Sequence, residues 1–262
     1  MPESACLALR FDPQLLQADL LRLASAAWNP HFNTKFFDGD WSGIVLRGSP
    51  ADRGLSAGRD SAAESFSATE ALEACPYFQM VLAAFRCPLK SARLLRLAAG
   101  SVIREHADYD LGENLGEVRL HIPVATNPQV EFYLAGKRVE MQAGECWYLD
   151  LSLPHRVQNR GVTERVHLVI DCVLDDWLRN LIHRASTTST RDRAIAGAEA
   201  FQQFAQLLFA EPAIQATLRD IPDVEEFLRE TVRRGEERGF SFTSEDVRAA
   251  WRAGKSVRVR HA

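Results

Sequence analysis

From about Ala92 onward the chain alternates apolar and polar residues with a period of two. A-R-L-L-R-L, S-V-I-R-E-H, E-V-R-L-H-I-P-V, Q-V-E-F-Y-L, K-R-V-E-M-Q, E-C-W-Y-L-D and R-V-H-L-V-I-D-C each read as a short strand. Ala135-Gly136 and Ala143-Gly144 mark tight turns between them. Seven or eight strands with no helix interposed predict an antiparallel sandwich or jelly roll. In E-V-R-L-H-I-P-V, alternation puts Leu120, Ile122 and Val124 on one face and Arg119 and His121 on the other. A charged face on a central strand predicts a polar pocket inside the roll.

Before Ala92 the pattern is mixed. Residues 7–11 can form a short strand, and Asp12-Pro13 opens a helix, Asp as cap and Pro at the first helical position. Leu16, Leu20 and Leu23 recur at helical spacing, so that helix lies on a sheet and stops near Asn29-Pro30. Residues 41–47 read as a strand, and Glu70 to Phe85 as a helix. The segment from about Gly48 to Thr69, rich in Ser, Gly, Ala and Arg, reads as a long loop: a lid or recognition element, or a solvated excursion. After the strands, Asp175 to Arg184 is helical and A-S-T-T-S-T-R-D-R reads as a linker. The remainder is helical: Ala198 to Phe209, A-I-Q-A-T-L, a helix from Pro222 to Gly239, and a last one capped by Thr243 with Asp246 three residues on. The tail K-S-V-R-V-R-H-A is basic and solvated.

Composition narrows the class. Of 262 residues, 46% are hydrophobic and 25% charged, ordinary for a globular protein. A net charge of −4 disfavours nucleic acid and anionic membranes as partners. No apolar run approaches the ~20 residues of a membrane span, and M-P-E-S-A-C lacks a signal-peptide core. Five separated cysteines with no C-x-x-C pair suggest neither a disulfide framework nor a zinc ribbon, so the expected location is the reducing cytoplasm.

The candidate chemistry sits in the alternating region. His106 and Asp108 stand two apart in R-E-H-A-D-Y-D and share a face if that segment is a strand. His155 follows S-L-P at the edge of a later strand. Two imidazoles and a carboxylate on one side of a divalent iron leave its other side open, and H-x-D with a distant His supplies that set. Arg165, ten residues after His155, lies in an otherwise apolar strand; a buried arginine needs an anion, and a dicarboxylate cosubstrate would serve. His167 shares Arg165's face and reads as a supporting side chain. His31, His183 and His261 read as surface residues, and Trp147 and Tyr148 as core.

The run H-A-D-Y-D, E-V-R-L-H-I-P-V-A-T-N-P, G-E-C-W-Y-L-D, L-P-H-R-V-Q-N-R and R-V-H-L-V-I-D resembles the aspartyl/asparaginyl β-hydroxylase family, which includes bacterial proline hydroxylases. The resemblance spans roughly Ala92–Asp176. It implies a double-stranded β-helix (jelly roll, cupin-like) and an Fe(II)- and 2-oxoglutarate-dependent dioxygenase consuming O2. It further implies that His106, Asp108 and His155 hold iron, that Arg165 pairs with the distal carboxylate of 2-oxoglutarate, and that Arg119 and His121, matching the family's R-x-H, also contact the cosubstrate. The animal branch lacks the carboxylate ligand, whereas Asp108 stands here as in the proline-hydroxylase branch. A serine that helps bind the cosubstrate in the animal branch falls at Leu95. No catalytic residue beyond the metal site is expected.

The segment from about Glu199 to Ala253 resembles Nif11-type helical domains found as peptide leaders. That resemblance implies recruitment of a peptide or biosynthetic partner, against the alternative of a packing or dimerising element. The expected organisation is a dioxygenase domain over 1–184, a linker over 185–197, and a small all-α domain with the basic tail over 198–262. The expected reaction hydroxylates an unactivated C–H of a free or peptidyl amino acid, the Asp or Asn β-carbon favoured, releasing succinate and CO2. A cupin-like binding module and a metalloenzyme without 2-oxoglutarate remain as alternatives.

Overall fold

A computed structural model of the chain describes residues 1–49, 66–210 and 212–252. Thirteen strands are described: β1 (Ser4–Arg10), β2 (Asn29–Pro30), β3 (Phe37–Asp38), β4 (Trp41–Gly48), β5 (Ser67–Ala68), β6 (Leu89–Leu97) and β7 (Val102–His106). They continue as β8 (Glu117–Ala125), β9 (Val130–Leu134), β10 (Lys137–Val139), β11 (Glu145–Leu149), β12 (His155–Asn159) and β13 (Arg165–Val173). They form two antiparallel sheets, one ordered β1-β11-β8-β13-β6-β4-β2 with β5 beside β4, the other β10-β9-β12-β7-β3. This is the antiparallel jelly roll expected from the alternation, in the double-stranded β-helix form that the family resemblance implies.

Period-two patterning divides the large sheet's faces. Leu94, Leu120, Ile122, Leu168 and Ile170 turn outward and are fully buried under helices. The helices are α1 (Pro13–Arg22), α2 (Glu70–Glu73), α3 (Pro76–Ala83) and the start of α4 (Asp176–Ala210), which contribute Leu16, Leu72, Phe78 and Leu178 to that core. Residues of opposite parity face inward: Leu95, Leu97 and Val169 pack against Ile103, Phe132 and Val157 of the small sheet. The inward positions that are not apolar (Arg93, Arg119, His121, Arg165, His167 and Asp171) line the interior the sequence pattern anticipates.

Turns fix the register. Ala135 and Gly136 both take positive φ, 47° and 76°, the two-residue hairpin geometry that matches strand twist. Gly144 at φ 80° lets Phe11 N donate to its carbonyl at 2.9 Å, tying β11 to the end of β1.

The structure departs from the sequence reading in three places. The first helix ends at Arg22, and Asn29-Pro30 form β2 against β4. The helix expected over Glu70 to Phe85 is two helices, because Pro76 removes a donor and restarts the helix at its own first position. Residues 185–197, read as a linker, are helical within α4. Ser and Thr each lie only about half a kcal/mol below Ala in helix propensity, and no proline interrupts the stretch. Most of the candidate lid (residues 50–65) and the basic tail lie outside the described residues.

The chain divides into two compact units, Met1–Ser186 and Thr187–Ala262. The second contains the end of α4, α5 (Pro212–Arg219), α6 (Val224–Glu236) and α7 (Ser244–Arg252), with Phe201, Phe204, Leu228 and Phe242 in a core of their own. Asp223 caps α6 by accepting from Glu226 N, and Thr243 and Asp246 cap α7 reciprocally. Among the described residues no helix is long and apolar enough to cross a membrane.

Candidate metal centre

His106 ends β7 and His155 begins β12, and the antiparallel ladder sets the two directly opposite one another. Their rings lie 4.3 Å apart between centroids. In each, Nδ1 lies against a backbone carbonyl two residues earlier: Arg104 O at 2.8 Å for His106 and Leu153 O at 3.0 Å for His155. A carbonyl only accepts, so Nδ1 carries the proton and Nε2 presents its lone pair. Asp108 is held just beyond β7 by its own N–H donating to Leu151 O at 2.8 Å. Its Oδ1 is 3.9 Å from His106 Nε2. One ligand atom from each of the three residues lies within 4.8 Å of the others, so modest side-chain rotation brings all three onto one ion.

The chemistry of this donor set fits divalent iron: two neutral imidazoles and one carboxylate, grouped on one side. Burial pushes His155 down to about 4, outweighing the upward pull of its bond to Leu153, and the neighbouring His106 adds a smaller downward push, so it is unprotonated at neutral pH. Phe36 stacks on His106 at 5.2 Å, and Phe132 lies parallel to His155 at 6.3 Å.

Arg165 reaches the same cavity from β13. It is 2% exposed, and among the described residues no carboxylate lies within ion-pair distance of it. Its Nη2 donates to His167 Nδ1 at 2.9 Å, and its Nε has no partner among the described residues. Burial alone pushes the guanidinium down to about 9. His121 Nε2 is likewise buried without a partner. Burial, then Arg165, holds both His121 and His167 well below the ordinary histidine range. Two orphaned nitrogens on the cavity wall beside a buried cation fit an anionic ligand such as a carboxylate.

Arg119 also faces the site, but its N–H groups are engaged. Nη1 donates to Asp108 Oδ2 at 2.6 Å, and Nε to Asp171 Oδ1 at 2.6 Å. Burial works against its charge, but Asp171 and Asp108 together hold it above the ordinary arginine value. Leu95, where the resemblance places the animal branch's serine, lines the cavity.

Two wall residues, His31 and Trp41, and the buried Asp171 behind Arg119 escaped the sequence reading. His31, read as a surface residue, lines the cavity. Its N–H donates to Trp41 O at 2.8 Å, and its ring stacks on the Trp41 indole at 3.4 Å. Burial, then Arg93 and Arg119, pushes it down to about 3. Trp41 Nε1 is buried without a partner. The signal for His31 was Asn29-Pro30 pairing with Gly43 and Ser42, which a two-residue strand barely advertises. Asp171 shares the parity of Arg165 and His167, and that alternation could have found it. His183 is exposed, Tyr148 is core at 1% exposure, and His261 lies outside the described residues.

Comparison with known proteins bears on this arrangement. The sequence model described as Aspartyl/Asparaginyl beta-hydroxylase matches residues 14–174. An L-proline cis-4-hydroxylase of Rhizobium meliloti (strain 1021) is 28% identical over 193 residues, covering 70% of this chain and 67% of that protein. Among solved structures, a Pseudomonas putida prolyl-4-hydroxylase is 16% identical, covering 66% of this chain and 93% of that one at a TM-score of 0.43. An oxidoreductase of the 2OG-Fe(II) oxygenase family from Burkholderia pseudomallei is 15% identical, covering 63% and 82% at 0.43.

Proposed function

The chain belongs to the aspartyl/asparaginyl β-hydroxylase family, and from that premise we propose that it is an Fe(II)- and 2-oxoglutarate-dependent hydroxylase of an amino acid. The observation that carries the reading is the approach of His106, Asp108 and His155 to one another beside a buried arginine that has no carboxylate partner among the described residues. Bound there, iron and 2-oxoglutarate supply the oxidation: O2 and the cosubstrate give succinate and CO2, and one oxygen atom enters a substrate C–H. The chain's residues bind, orient and seclude. His106 and His155 offer Nε2 because their Nδ1 protons are committed to backbone carbonyls. Asp108 offers Oδ1 because Arg119 occupies Oδ2. Arg165 receives the distal carboxylate of 2-oxoglutarate, and His121 Nε2 lies ready for the same ligand. Leu95, Ile103 and Val157 keep water from the reacting side, and Phe36 and Trp41 give the outer wall an apolar face.

For the substrate, the proline-hydroxylating relative and the apolar wall favour a small aliphatic amino acid, with L-proline the first to try and Asp and Asn the alternatives the family name raises. The test is succinate release by the purified chain with Fe(II), 2-oxoglutarate and O2, across L-proline, Asp, Asn and short peptides. The expected result is amino-acid-stimulated succinate and a product heavier by one oxygen. Succinate formation that no amino acid or peptide stimulates would count against the substrate class, and no succinate from iron-loaded protein against the reaction.

A further inference from the structure

Asp171 is fully buried on the inner face of β13 yet carries a charge. Three side chains donate to it: Ser91 at 2.8 Å, Arg93 at 2.6 Å, and Arg119 through Nε at 2.6 Å and Nη2 at 3.2 Å. Burial alone would raise its pKa, but Arg119 and Arg93 together hold it well below the ordinary carboxylate range. Arg119 therefore spends the fork of its guanidinium, Nε with Nη2, on Asp171, and has one nitrogen, Nη1, directed at Asp108. Asp108 is left with Oδ2 on Arg119 and Oδ1 on the side of His106.

The geometry points to Asp171 as a positioning residue for the metal centre, acting through Arg119 to hold Asp108 as a one-oxygen ligand. This rests on the metal-centre reading above. The reason is competition. A guanidinium prefers to meet a carboxylate through two parallel N–H···O bonds. With Asp171 charged, that fork is occupied; with Asp171 neutral, Arg119 is drawn to Asp108 with both bonds and competes with the ion for Oδ1. The ion pairs agree, since Arg119 contacts both Asp108 and Asp171. Neutralising Asp171 leaves Arg119 facing the one carboxylate that the metal also needs. Nothing here requires Asp171 to touch metal, cosubstrate or substrate.

The test uses the full chain and measures divalent metal affinity anaerobically, with Fe(II) and with Co(II), whose visible spectrum reports ligand number. Asp171→Asn is expected to weaken binding by about 10–100-fold, the range typical for a partner of a metal ligand. Asp171→Asn combined with Arg119→Met is expected to bind more tightly than Asp171→Asn alone, because the competitor has been removed with its anchor. A purely structural Asp171 would not give that recovery: the second substitution would add damage. Wild-type affinity in Asp171→Asn, or a double variant no better than the single one, overturns the proposal. If Asp171→Asn does not fold, Arg119→Met alone decides: Asp108, free to bind through both oxygens, should alter the Co(II) spectrum, and an unchanged spectrum overturns the proposal. A wild-type chain whose metal binding ignores His106→Ala would instead overturn the reading beneath it.

Discussion

Arg165→Leu is expected to raise the stability of the ligand-free protein while abolishing its response to 2-oxoglutarate. In the folded chain the guanidinium is fully buried, receives no carboxylate among the described residues, and is driven by burial from the ordinary arginine value down to about 9. At roughly 1.4 kcal/mol for each tenfold, that is a penalty of about 5 kcal/mol on the charged form. Leucine removes it, and also removes the bond to His167 (about 1 kcal/mol) and some packing, since leucine is shorter (about 1–2 kcal/mol). The net gain is of the order of 2 kcal/mol, in line with buried charges replaced by apolar residues elsewhere. For a unit of this size it corresponds to an increase in Tm of about 4–8 °C. The cosubstrate acts in the opposite sense: at a hundred times its Kd, 2-oxoglutarate stabilises a protein that binds it only when folded by about 2.7 kcal/mol. The assay is thermal unfolding of both proteins loaded with Ni(II), with and without 2-oxoglutarate. The account predicts a higher Tm for the variant without ligand and a ligand-induced rise in the wild type alone. A variant that melts lower and still responds to 2-oxoglutarate would refute the reasoning.

Three further outcomes follow from the same structure. His155 is held down to about 4 against an ordinary 6.5, so as pH falls below 6.5 the unfolded chain takes up the proton first and the folded state loses stability down to about pH 4; urea titrations of metal-free protein should show roughly 2 kcal/mol lost from this residue by pH 5, and a His155→Gln variant should lose correspondingly less. His31, His121 and His167 are shifted the same way and steepen the loss. Gly144→Ala places a methyl group 2.1 Å from Phe11 O at φ 80°, and denaturant unfolding should show a loss of at least about 1–3 kcal/mol; unchanged stability would mean the turn relaxes freely. A chain ending at Ser186 retains Leu178 and Ile182 in the first unit's core and should unfold cooperatively as a monomer, whereas aggregation would show that the helical remainder is required for folding.

How much of this was legible in the sequence follows from where each signal resides. The roll was readable because its strands keep strict alternation: Leu120, Ile122 and Val124 point to the helices, and Arg119 and His121 to the interior. H-x-D, the distant His and Arg165 were readable because a buried charge is conspicuous in an apolar strand. Arg119 was legible as an interior-facing residue but its partners were not: whether a guanidinium meets a cosubstrate or a neighbouring carboxylate depends on Asp108 and Asp171 arriving from two other segments. His31 was missed because a two-residue strand and a short turn bring it in, and Trp41 because the start of β4 is buried without alternation. The continuity of α4 was hidden by a Ser/Thr-rich stretch whose low propensity is too small a penalty to stop a helix lacking proline. The family match covers residues 14–174, so the likeness of the C-terminal helices to leader domains stays an expectation from the sequence.

The most direct measurement is an anaerobic titration of the Fe(II)-loaded protein with 2-oxoglutarate, following the weak visible charge-transfer band of the chelate. The account predicts a saturable band at one iron per chain that requires His106, Asp108 and His155 and is lost in Arg165→Leu while iron stays bound. Iron held tightly with no band at any concentration of 2-oxoglutarate would contradict it.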